Sequence, residues 1–245
     1  ICNMGPCRID PFGEGPQKGV CGADADTIVA RNLCRMIAAG VAAHSDHGRD
    51  VAHLLTLLGR GKTHGYHISD PKKLRTLAQF YGIDTEKKSP EKLAEEVGEM
   101  AFREFGSQYG PIKFTEKAPK KRIDIWKRLG IVPRGIDREV VEMMHRTTMG
   151  VDNDYRNILM HGMKTAIADG WGGSMIATEL QDVLFGSPRP TRAKVNLGVL
   201  KEDYVNVIVH GHEPTLSDVV VAASQDSELV KLAKKKGAKG INLVG

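Results

Sequence analysis

The sequence predicts an α/β chain in two parts: a mostly helical N-terminal domain over residues 1–188, and the first part of a parallel α/β domain over residues 189–245. Three observations predict this. Apolar residues recur at helical spacing from about residue 24 to residue 184. The breaker Gly186-Ser-Pro-Arg-Pro190 then ends that pattern. Beyond it, β-branched runs at Tyr204–His210 and Gly240–Val244 flank helical segments, and strand–helix–strand order with short connections belongs to a parallel unit.

Residues 1–22 read as a loop punctuated by Gly and Pro, which cannot bury apolar surface alone and which a metal centre would give a reason to be ordered. Asp24 or Asp26 offers the N-cap of a long helix running to about Leu58. Gly40 and Gly48 interrupt it, each costing about 1 kcal/mol relative to Ala in a helix interior, and both read as marks of close packing against a cluster or another helix. Asp70-Pro71 and Ser89-Pro90 pair a capping residue with a first-turn proline and lead into helices over Lys72–Tyr81 and Glu91–Phe105. Helices over Ile123–Leu129, Ile136–Thr148, Asn153–Ala168 and Ser174–Leu184 follow, with a tight turn at Gly170-Trp-Gly-Gly173. Tyr204–His210 then reads as a buried strand. Helices from about Leu216 and across Ser227–Lys236 lead to the last strand, an arrangement of the Rossmann-like kind.

Hydrophobic residues at 41% suit a globular core, and aromatics at only 5% favour packed helices. No apolar run reaches the roughly 18 residues of a membrane span, and no leader pattern opens the chain, so a cytoplasmic protein is expected. The net charge is +5, yet the basic stretches Lys117–Arg122 and Lys231–Lys236 lack the aromatic interleaving of a nucleic-acid surface. They read as solvated faces or, alternatively, as a docking patch for an acidic partner such as a ferredoxin.

Cys2, Cys7 and Cys21 are spaced C-x4-C-x13-C, a crowding of thiols that points to a metal centre, an iron–sulfur cluster first, rather than to disulfides. A cubane takes four thiolates, so a further ligand is expected before Ile1, and the chain reads as cut at both ends. Cys34 lies on the apolar face of the long helix and reads as core or, alternatively, as a further ligand. His44, His47 and His53 recur in steps of three and six with Asp50 between them, winding slowly around the helix over about 13 Å. That is a poor compact metal site; it reads as a proton path or as a polar face turned to water. His212, in Val209-His-Gly-His-Glu-Pro214, follows a strand, where ligands collect in open α/β sheets; it reads as a metal ligand or as a capped loop residue. His64, His67, His145 and His161 read as structural or surface residues.

In order along the chain, Cys2-Asn-Met-Gly-Pro-Cys-Arg-Ile9, Gly19-Val-Cys-Gly-Ala23, Ala38-Ala-Gly40, His44-Ser-Asp-His47, Arg146–Asp152, Gly173–Glu179 and Val209–Pro214 resemble the anaerobic nickel–iron–sulfur carbon monoxide dehydrogenases over the whole chain. The resemblance implies oxidation of CO with water to CO2, with electrons passing through 4Fe-4S clusters to a ferredoxin-like acceptor. Cys2, Cys7 and Cys21 match three ligands of the cubane called the B-cluster. His212 matches a ligand to the iron of the nickel-containing C-cluster, whose other ligands would follow Gly245. The D-cluster cysteines, shared across a homodimer, would lie upstream. His44 is implied as an acid/base group, His47 and His53 as proton carriers, and Asp169 as a neighbour of the active site; Asp50 stands where some members place a histidine. An acetyl-CoA synthase subunit is a further partner of some members. The alternatives are a hybrid-cluster hydroxylamine reductase-like enzyme, whose cysteine spacing differs, a non-catalytic iron–sulfur electron-transfer or redox-sensing protein, and a structural zinc knot.

Overall fold

The computed structural model describes residues 1–5, 7–187, 198–209 and 214–244. The chain is mostly helical, with a small two-stranded parallel sheet near its end. It divides into two compact units: residues 1–67 with 71–181, and residues 68–70 with 182–245.

The first unit is organised on α1, Ala25–Gly59, a single helix of 35 residues. Asp24 caps it, its side chain accepting from the Thr27 N–H at 2.8 Å, as the sequence predicts. Neither internal glycine breaks it. The helices α2 (Pro71–Phe80) and α3 (Pro90–Gly106) begin on their prolines, and the Ser89 hydroxyl accepts from the Lys92 N–H at 3.2 Å. Then come α4 (Lys120–Leu129), α5 (Ile136–Thr148), α6 (Tyr155–Ala168) and α7 (Ser174–Phe185).

α1 packs along α3, α5 and α6. Its apolar stripe Ala30, Cys34 and Ala38 meets Met143 of α5 and Ile158 of α6. Cys34 is fully buried, its Sγ 3.4 Å from the Ile158 carbonyl oxygen, so it is the core residue the helix pattern predicts. A second cluster joins Ala118, Trp126 and Ile131 to Trp171, with the two indoles edge-on at 5.9 Å.

A buried charge centre ties α5 to α6. Glu139, with no exposed surface, accepts from Arg134 Nε at 3.0 Å and pairs with His161 Nε2 at 3.0 Å and Lys164 Nζ at 3.4 Å. Burial pushes the Glu139 carboxyl up, but the hydrogen bonds from His161 and Arg134 outweigh it and hold the group well below the usual carboxylate range.

The glycine-rich segment before α7 departs from expectation. Residues Asp169–Gly173 form one π-helical turn that continues the helical path from α6 into α7, where the sequence predicts a tight turn. Gly173 lets the α1 backbone come close, and Gly172 makes room for the Ile136 and Ile112 side chains.

In the second unit, the Ser69 N–H donates to the Val183 carbonyl at 2.8 Å and its hydroxyl to the Leu184 carbonyl at 2.7 Å. Strand β1, Val205–Ile208, pairs in parallel with β2, Ile241–Val244, in the register Val205 to Ile241. The helices α8 (Pro214–Gln225) and α9 (Ser227–Lys235) form the connection. The sequence predicts a buried first strand, yet Ile208 is 66% exposed, because a two-stranded sheet leaves a β-branched strand with one neighbour and an open flank.

Candidate functional site

The N-terminal loop is short of apolar contacts and is held instead by polar ones. Asn32 of α1 donates to the Ile1 carbonyl at 2.8 Å and accepts from the Asn3 N–H at 3.3 Å. The Cys2 N–H bonds the Cys7 carbonyl at 3.0 Å, closing the first thiol turn. Asp10 gathers the N–H groups of Glu14 and Gly15 at 2.6 and 2.8 Å, shaping the stretch between Cys7 and Cys21. The Gly19 N–H reaches the Ala23 carbonyl at 2.8 Å, setting the turn that carries Cys21.

All three thiols are free. Two of them receive hydrogen bonds at sulfur: the Val20 N–H donates to Cys7 Sγ at 3.4 Å, and Arg31 Nη1 to Cys21 Sγ at 3.4 Å. The Ala23 backbone N–H and the Arg31 guanidinium hold the Cys21 thiol below its ordinary value, the direction that favours a thiolate ligand. Neither Arg31 nor Asn32 is prominent in the sequence reading. A buried arginine one turn before Cys34, on an otherwise apolar helix face, is the signal that could have found the first.

The second locus lies where α1 meets the π-helical turn. His44 Nδ1 stands 2.8 Å from Asp169 Oδ1, and the Ser174 hydroxyl lies 3.4 Å from the same oxygen. The imidazole is 54% exposed and the carboxylate 26%, so the ring's far side is open to solvent or to a reactant. Close approach of two backbones makes this pairing possible. A Cβ on Gly173 would lie 3.1 Å from the His44 carbonyl, and one on Gly48 would stand 2.7 Å from the Gly173 carbonyl oxygen. Among the described residues, a Cβ on Gly40 would meet nothing within 4 Å, so of the two it is Gly48 that packs against another helical segment.

The other helix histidines have separate partners. His47 Nε2 lies 3.2 Å from Gln181 Nε2, and the His53 ring sits tilted 6.1 Å from Phe102 beside a cavity of about 260 Å³. Nine residues of α1, about 13 Å of rise, separate His44 from His53, so they do not meet directly. Asp50 is exposed on the same helix. His212 lies outside the described residues. Among the described residues, no three His, Cys, Asp or Glu side chains converge closely enough to hold a single metal ion, and no helix is long and apolar enough to cross a membrane.

A model of the Prismane/CO dehydrogenase family matches residues 1–245. The chain belongs to the Prismane/CO dehydrogenase family. Within the family, it is 61% identical over 244 residues to carbon monoxide dehydrogenase 1 of Methanosarcina acetivorans, and 48% identical over 251 residues to carbon monoxide dehydrogenase 1 of Carboxydothermus hydrogenoformans. Each alignment covers 100% of this chain and 39% of the relative. An as-isolated, Ni-free crystal structure of carbon monoxide dehydrogenase from Thermococcus sp. AM4 matches with 56% identity and a TM-score of 0.78, again over 100% of this chain and 39% of that one. The chain thus spans about two-fifths of the length of these family members.

Proposed function

We propose that this chain is part of the catalytic subunit of an anaerobic nickel–iron–sulfur carbon monoxide dehydrogenase, oxidising CO with water to CO2, two protons and two electrons. Relatives at 61% and 48% identity carry that name. The helical first unit then serves as a cluster-bearing and proton-handling domain, and the β1–β2 unit is the start of a Rossmann-like parallel domain. The domain boundary near residue 188 belongs to this proposal.

The residues fit the groups the family implies. Cys2, Cys7 and Cys21 would hold a 4Fe-4S B-cluster with a fourth thiolate from outside the chain. They are free, and two of their sulfurs already face N–H donors. A cubane's ligands go to separate irons at its corners, so they stand wider apart than those of one ion. His212 would be a ligand to the nickel–iron–sulfur C-cluster, with a D-cluster shared across a homodimer. When bound, these groups supply Lewis-acid activation of CO and water and one-electron storage.

The chain's own part is proton handling. Asp169 accepts from His44 Nδ1–H and so leaves Nε2 as the atom that takes a proton from the reacting water and passes it on. His47 and His53 carry protons onward, with solvent bridging the gaps that the helix leaves between them. A ferredoxin-like protein receives the electrons, and an acetyl-CoA synthase subunit is a further partner.

The His44–Asp169 pair is the observation that carries the reading, because a non-catalytic electron carrier has no use for an oriented imidazole remote in sequence from its cluster loop. The test is iron, nickel and sulfide analysis of the full-length protein beside CO-dependent dye reduction. Cluster iron with nickel and CO-dependent turnover is expected; iron without nickel and no turnover would sink the proposal.

A further inference from the structure

Arg31 is only 3% exposed, and its guanidinium bridges the thiol loop to the segment between α5 and α6. Nη1 donates to Cys21 Sγ at 3.4 Å. Nε and Nη2 donate to the Asp152 carbonyl oxygen at 3.2 and 2.5 Å, and Nη2 also reaches Asn153 Oδ1 at 2.9 Å. The surroundings keep the side chain in place. Asn153 Nδ2 bonds the Cys21 carbonyl at 3.4 Å, and the Thr27 hydroxyl bonds the Asn153 carbonyl at 2.8 Å. A Cβ on Gly150 would stand 3.7 Å from Cys21 Cβ, so this segment lies directly over the cysteine.

These contacts are uneven in charge. The partners at 152 and 153 are neutral oxygens, while the Asp152 carboxylate pairs with Arg146 at 3.4 Å and accepts from the Asp154 N–H at 2.8 Å. Of the three groups that accept from Arg31, a Cys21 thiolate is the one that carries negative charge. Cys7, in contrast, receives a neutral donor among the described residues, the N–H of Val20. A guanidinium stays protonated at any working pH, so this donor is a permanent buried cation.

We infer that Arg31 sets the reduction potential of the cluster held through Cys21, acting as a positioning and tuning residue rather than a catalytic one. The inference rests on the thiol-ligand reading above. Adding one electron to a cubane adds one negative charge, which spreads onto its sulfurs. A charge-assisted N–H···S bond from a buried cation favours that reduced form and raises the potential. No bond breaks and no proton moves through Arg31; the electron comes from CO and leaves to the external acceptor.

The test is an EPR-monitored redox titration of the full-length, cluster-loaded protein, with iron and sulfide measured on each variant. Arg31→Met should lower the midpoint so that the reduced-to-oxidised ratio falls about tenfold at the wild-type midpoint, equivalent to about 59 mV for one electron. Arg31→Lys, keeping the charge but not the fork, should shift it the same way by less. Thr27→Val, which loosens the 153 segment without touching the sulfur donor, should leave the midpoint in place; a shift as large as that of R31M would assign the effect to loop geometry and overturn the inference. If R31M takes up no iron, R31K decides alone: a lowered midpoint supports the inference, and a wild-type midpoint overturns it. Cys21→Ala should remove the iron, sulfide and EPR signal of one cubane while the D-cluster signal remains; undiminished iron, sulfide and signal sink the ligand reading and the inference together. A signal lost in C21A beside unmoved midpoints in R31M and R31K sinks the inference alone.

Discussion

Asp169→Asn is the sharpest perturbation of the proposed proton-handling site. The carboxylate can only accept, so His44 Nδ1 must carry the proton in the pair and Nε2 stays available to the reactant. An asparagine of the same shape can turn its NH2 toward Nδ1 instead. The ring then moves its proton to Nε2, and the acceptor faces the wrong way. Positioned acid–base catalysis is worth about 10²- to 10⁴-fold. With His44 54% exposed, water can partly replace the lost orientation, which places the expected loss at the low end. Turnover should fall about 100-fold, or roughly 2.7 kcal/mol in the barrier. The assay is CO-dependent dye reduction by full-length protein with metal content matched to wild type. Because the two residues act as a unit, Asp169→Asn combined with His44→Asn should be no slower than His44→Asn alone. Turnover of D169N indistinguishable from wild type, or losses that multiply in the double variant, would refute the reasoning.

Other outcomes follow from the packing. Gly48→Ala would push a methyl against the Gly173 carbonyl and Phe105, at 2.7 and 3.0 Å, and should cost about 1–3 kcal/mol, read as a lowered thermal midpoint. Gly40→Ala meets nothing among the described residues and should raise the midpoint, by about 0.5–1 kcal/mol of helix propensity. Glu139→Gln leaves Arg134, His161 and Lys164 around a neutral amide and should cost about 3 kcal/mol at neutral pH. The Glu139 carboxyl is depressed in the fold, so its contribution is whole above an unfolded value of about 4.3 and fades as pH falls below that toward the folded value. The gap between wild type and E139Q in thermal unfolding should therefore narrow on acidification; a gap that does not change with pH would show that the charge is not what stabilises the centre.

The sequence by itself determined the elements whose causes are local. Asp24, Pro71, Ser89 and Pro90 announce their helices because caps and first-turn prolines act within one turn, and the observed boundaries follow them. The position of Cys34 in the core also follows from helical period alone. Tertiary structure decided what depends on which backbones meet. Gly40 and Gly48 look alike in the sequence, but only Gly48 faces a crossing carbonyl. Gly170 to Gly173 reads as a turn, yet the segment stays helical, with Gly173 against the backbone of α1 and Gly172 against Ile136 and Ile112. The partnership of His44 with Asp169, 125 residues apart, and of Arg31 with Cys21 and the 152–153 segment, is likewise invisible to any local pattern. A chain's spacing constrains directions within a few turns, while pairing distant residues requires the packing of whole helices, and here that packing brings His44 to Asp169 and Arg31 to Cys21.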